Sequence, residues 1–107
     1  MDKAEKQKIL AELTYLSEEV YDELLGILLL QAEEKITELK AAAEKDDFPS
    51  IAKIAHSLKG SSGNLRVNTI YEPAKSMELI ARENPDKQKI VGDIVHLEEA
   101  LSLLKAS

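Results

Sequence analysis

Two residues in this chain are equipped for chemistry by type and spacing, His56 and Lys59, three positions apart in Ile51-Ala-Lys-Ile-Ala-His56-Ser-Leu-Lys59-Gly60-Ser-Ser-Gly63-Asn-Leu65. A solvent-exposed imidazole has an ordinary pKa of about 6.5, so it is largely neutral at pH 7 and its free nitrogen lone pair is a competent nucleophile. Any anionic group bound at that nitrogen would have its charge partly neutralised by an ammonium one helical turn away. An exposed pair of this kind contributes about 1 kcal/mol at most. That is enough to tune how such a group is held and too little to drive a reaction alone.

The same stretch predicts how the histidine is presented. Ile51, Ile54, Ala55, Leu58, Ser62 and Leu65 recur at three and four, the period of one buried helix face, and His56 falls outside that stripe. Ala52, Gly60 and Gly63 share the histidine's side, with Lys59 between it and the stripe. Each glycine inside a helix costs about 1 kcal/mol relative to alanine. Either one of them stops the helix, where a left-handed conformation favours glycine, or both keep the flank of His56 clear for a protein surface. The apolar phase runs on through Ser62 and Leu65, which favours clearance. Lys53, Lys59 and Arg66 also fall in a stretch without acids between Asp47 and Glu72. On an acidic chain, such a local basic patch fits an acidic partner site or a bound phosphate.

The segment Ala55-His56-x-Leu58-Lys59-Gly60-Ser61-Ser62 resembles the signature of histidine-containing phosphotransfer (HPt) domains, the intermediate carriers of phosphorelays. The resemblance implies that His56 is the phosphoacceptor, Lys59 the charge partner of the phosphoryl group, and Gly60 the clearance residue. Ala52, Gly63 and Arg66 then belong to the partner-docking face. Arg66 stands where many members carry a further glycine. By the same resemblance the chain is a phosphocarrier without autonomous catalysis, on its own or as a domain of a larger histidine kinase. Its partner is a response-regulator receiver, which supplies the aspartate and its Mg²⁺, or a kinase; the carrier has no cofactor or metal of its own. The competing reading is an unphosphorylated helical module for protein interaction or dimerisation.

Composition narrows the field. A length of 107 residues with 44% hydrophobic content suits one domain, residues 1–107, with one core and no room for a separate catalytic domain. The absence of cysteine removes disulfide and thiolate chemistry and fits a cytoplasmic setting. Ile27-Leu-Leu-Leu30 is too short to insert across a membrane. A net charge of −6 with 4% aromatic residues argues against nucleic acid as a partner. Lys59-Gly-Ser-Ser-Gly63 lacks the glycine order of a phosphate loop. His96 reads as a surface residue, and two isolated histidines make a poor metal site. Glu33, Glu34 and Glu38 read as a solvated helix face.

The elements that must position His56 follow from apolar spacing and from chain breakers. Residues 2–13 form a short helix, and Ser17 caps a long one running to about Lys45, with Tyr21, Leu25, Leu28, Ala32, Ile36, Leu39 and Ala43 on its buried face. Ile27 and Leu30 fall off that stripe, which fits either a helix with neighbours on two sides or a docking surface. Asp46-Asp47-Phe48-Pro49 breaks this helix and starts the one that carries His56. The hairpin so formed places His56 roughly level with Glu34 to Glu38, where a carboxylate could orient the second ring nitrogen. Thr69-Ile-Tyr-Glu72 matches a capping box, with Pro73 moving the start of the fourth helix a residue or two later. Asn84-Pro85-Asp86 precedes a last helix striped by Ile90, Ile94, Leu97, Leu101 and Leu104. The expected fold is all-α, an antiparallel up-and-down four-helix bundle with a short additional N-terminal helix.

Overall fold

The computed structural model describes residues 1–106, which form five helices and no strand. They are α1 (Lys3–Glu12), α2 (Glu18–Glu44), α3 (Phe48–Asn64), α4 (Asn68–Glu83) and α5 (Lys87–Ala106). Their ends follow local chemistry. Asp2, Ser17 and Asp47 each accept a hydrogen bond from the backbone N–H three residues on, capping α1, α2 and α3, and Pro49 sits in the first turn of α3. Asp86 accepts in the same way from Lys89 N–H at the start of α5.

Helices α2 and α3 both end in a residue of left-handed backbone conformation, Asp46 (φ 53°) and Arg66 (φ 60°). At each end two orphan carbonyls are taken up. Asp47 N–H donates to Ala42 and Asp46 N–H to Ala43, and likewise Val67 N–H donates to Ser62 and Arg66 N–H to Gly63. This paired closure is one that glycine ordinarily favours, because a Cβ crowds the left-handed conformation. Arg66 thus carries a side chain through a conformation that glycine adopts at less cost.

The start of α4 differs from the sequence expectation. The helix begins at Asn68 with Val67 as a cap that makes no side-chain bond, and Pro73 lies inside it, in the second turn. Burial decides the matter over capping chemistry. Val67 and Ile70 are both buried, and the Val67 carbonyl accepts from Ile70 and Tyr71, so the first turn is fixed without Thr69. Thr69, whose carbonyl Pro73 cannot serve, is an exposed residue.

Helix α2 packs against α3 and α5, α3 against α4, and α4 against α5, so four helices surround one core. Every residue of the expected α2 stripe is buried except Leu25, which is half-buried, and Ile51, Ala55, Leu58, Ile70, Ala74, Met77, Ile90, Ile94, Leu97 and Leu101 join it from the other helices. Ile27 and Leu30 remain exposed, so no helix among the described residues fully covers that side of α2. Helix α1 adds Ile9 to the core, followed by Leu13, and is tied to α2 by Lys6, which bonds Asp22 at 2.8 Å. Tyr21, fully buried, donates from its hydroxyl to the Leu65 carbonyl at 2.7 Å and so satisfies the C-terminal end of α3; burial raises its pKa to about 12.

Candidate functional site

His56 lies in the middle of α3, a helix that runs on past Gly63 to Asn64, and its side chain is 65% exposed. The buried stripe of Ile51, Ala55, Leu58 and Ser62 holds the helix on the core and turns the ring outward. Ser62 fits that stripe because its hydroxyl donates to the Leu58 carbonyl at 2.7 Å.

The ring is anchored on one side. Nδ1 of His56 is 2.8 Å from Oε2 of Glu78, a residue of α4 that is only 7% exposed. Lys59 donates from Nζ to the other oxygen, Oε1, at 2.6 Å, and the Arg82 guanidinium donates to Oε2 at 3.0 Å. The Lys59 ammonium, followed by Arg82 and His56, lowers the Glu78 pKa from 4.5 to about 2, against burial, which acts in the opposite direction. An ionised carboxylate only accepts hydrogen bonds, so in the neutral ring the proton sits on Nδ1. The lone pair is then on Nε2, and it points away from the carboxylate.

Sequence reasoning missed Glu78. The carboxylate was expected from Glu34 to Glu38 on α2, but both of these residues are exposed and α2 meets the other flank of α3. One signal was available. Glu78 stands one turn from Ala74 and beside Met77, in phase with the apolar stripe of α4, with Arg82 four residues on. An acid on a buried stripe needs cations, and the chain supplies them.

The flank of His56 is narrower than expected. Gly60 is exposed, and a Cβ built there meets no atom within 4 Å, so the space beside the ring is open. At Gly63 a Cβ would come within 3.3 Å of the Tyr71 ring. That glycine lets α4 approach α3, and its clearance is already filled. Ala52 is not on the exposed face either. It is 3% exposed, because the N-terminal half of α3 leans on the C-terminal half of α4, where Ala81 lines the same groove. Arg66 is exposed past the end of α3, donating to the Gly63 carbonyl at 2.9 Å and facing Glu12 of α1 at 3.4 Å. Of the expected basic patch, Lys59 is engaged by Glu78, Arg66 lies beyond the helix, and Lys53 is exposed; Arg82 is the cation that joins the site from another element. His96 is exposed on α5.

Among the described residues, no group of three or more metal-binding side chains is placed to hold an ion, and no helix is long and apolar enough to cross a membrane. No curated protein shows a significant match. The family model of the Hpt domain matches residues 23–107, beginning inside α2 and including α3, α4 and α5. This family carries phosphoryl groups in two-component signalling, as carriers rather than catalysts, and interacts with receiver domains and kinases. The match takes in His56, Lys59, Glu78 and Arg82 together, and with most of its length so covered the chain belongs to the Hpt domain family.

Proposed function

We propose that this chain is a phosphorelay intermediate that carries a phosphoryl group on Nε2 of His56, between receiver aspartates or from a kinase to a receiver. The observation that carries the reading is the 2.8 Å contact of Nδ1 with the buried Glu78 carboxylate on a ring that is otherwise open to solvent. In the transfer, the Nε2 lone pair attacks the phosphorus of an aspartyl phosphate. The P–N bond forms as the P–O bond breaks, and the aspartate carboxylate leaves with the electron pair. The Nδ1 proton stays on the ring, so the product is a phosphoimidazolium whose positive charge faces Glu78. Lys59, one turn from the ring, moves onto the phosphoryl oxygens. Gly60 admits the convex surface of the partner, and the exposed Arg66 borders the far end of that surface. The receiver contributes the aspartate, its Mg²⁺ and most of the stabilisation of the in-line transfer.

The architecture suits this role. The ring of helix contacts and the short connections support an antiparallel up-and-down arrangement of α2 to α5, with α1 packed alongside and residues 1–107 acting as one domain. The lack of cysteine fits a reducing cytoplasm.

Incubation with radiolabelled phosphorylated receiver domains tests the proposal. Wild type and His96→Gln take up label that is acid-labile and alkali-stable, and His56→Gln takes up none; equal labelling of His56→Gln removes His56 from the mechanism. A second reading, an unphosphorylated interaction module, is favoured by the exposure of Ile27 and Leu30 on α2. It requires that His56→Gln keep both partner binding and cellular function.

A further inference from the structure

Glu78 has two oxygens and three donors. Lys59 takes Oε1, whereas Oε2 is shared between Nδ1 of His56 at 2.8 Å and the Arg82 guanidinium, whose Nε and Nη2 each lie at 3.0 Å. The two cations sit on different helices. Lys59 is three residues from His56 on α3 and therefore moves with the ring, whereas Arg82 is four residues from Glu78 on α4 and moves with the carboxylate. A phosphoryl group on Nε2 is a denser negative charge than a carboxylate and lies on the solvent side, so it competes with Oε1 for the Lys59 ammonium. A carboxylate buried to this degree does not stay ionised without a cation beside it. Arg82 is built to remain: its guanidinium cannot lose its proton, two of its nitrogens reach Oε2, and its ion pair among the described residues is with Glu78.

We propose that Arg82 is a positioning residue that holds Glu78 charged and in place after Lys59 leaves Oε1 for the phosphoryl group, so that the bond from Nδ1–H to Oε2 survives phosphorylation. The inference rests on the carrier reading and adds a division of labour between two cations. Before phosphorylation either cation suffices for Glu78. Afterwards Arg82 is the one side-chain cation left to hold Glu78 in place, beside the ring charge that the carboxylate itself faces.

Phosphorylation by potassium phosphoramidate in a His96→Gln background tests this without any receiver, with the ring ¹⁵N shifts and the Nδ1 proton resonance of His56 followed by NMR. In wild type, the hydrogen-bonded Nδ1–H signature is present before and after phosphorylation. In Arg82→Ala it is present before and lost after, and Arg82→Lys restores it. Retention in phosphorylated Arg82→Ala overturns the proposal, as does loss already in the unphosphorylated variant with an otherwise native amide spectrum. Should no receiver phosphorylate the chain, the relay reading fails on its own while this measurement remains readable.

Discussion

Glu78 reaches Nδ1 of His56 from a different helix, 22 residues further along the chain, at 2.8 Å. This contact sets which ring nitrogen is free to react, so its loss should affect chemistry before it affects stability. In Glu78→Gln the amide presents either an acceptor or a donor to Nδ1, and the tautomer is no longer fixed. Phosphoryl uptake from a receiver should fall by about 10²-fold, the low end of what one correctly placed proton-holding group contributes. Stopped-flow transfer kinetics read this directly. Unchanged kinetics would remove Glu78 from the mechanism.

The same carboxylate makes folding stability depend on acid. Its pKa is lowered from 4.5 unfolded to about 2 folded, chiefly by Lys59, so the native state binds the proton later than the unfolded chain as pH falls. The stabilisation is present in full above about 4.5 and is lost progressively between 4.5 and 2. Urea midpoints measured across that interval should decline in wild type, and decline less steeply in Glu78→Gln.

Gly60 and Gly63 separate on substitution. A side chain at Gly60 enters open space and gains up to about 1 kcal/mol of helix propensity, so Gly60→Ala should be at least as stable as wild type. Gly60→Gln should still accept phosphate from phosphoramidate while transfer from a receiver drops at least tenfold. Gly63→Leu drives into the Tyr71 ring and should lose about 1–3 kcal/mol by overpacking. Denaturant titration of the pair distinguishes docking clearance from helix packing.

Arg66→Gly relieves a left-handed backbone that costs a side-chain-bearing residue about 1–2 kcal/mol, and gives back about 0.4–1 kcal/mol in unfolded-chain entropy. The exposed contact with Glu12 adds little. A net stabilisation of about 0.5–1 kcal/mol is expected, read as a higher urea midpoint at constant m-value.

Much of this was legible in the residues. The cap at Ser17, the break at Asp46-Asp47-Phe48-Pro49, the buried stripes and the outward turn of His56 all follow from local chemistry and helical period, which act over one or two turns. Glu78 was not legible as the partner of His56, because pairing α3 with α4 depends on register. That register is set by packing such as Tyr71 against Gly63, between residues that no periodic pattern links. The contact of Gly63 with Tyr71 was not legible for the same reason, since an open flank and a tight helix contact both call for glycine. The start of α4 went astray because the burial of Val67 and Ile70 outweighed the capping box at Thr69.

The His56 ring stands in the middle of α3 and is two-thirds open to water. Under the carrier reading proposed above, such a ring would offer its cargo no shelter between encounters and commit little conformational energy to holding it. On that reading the direction of flow would be left to the relative phosphoryl potentials of the proteins it visits.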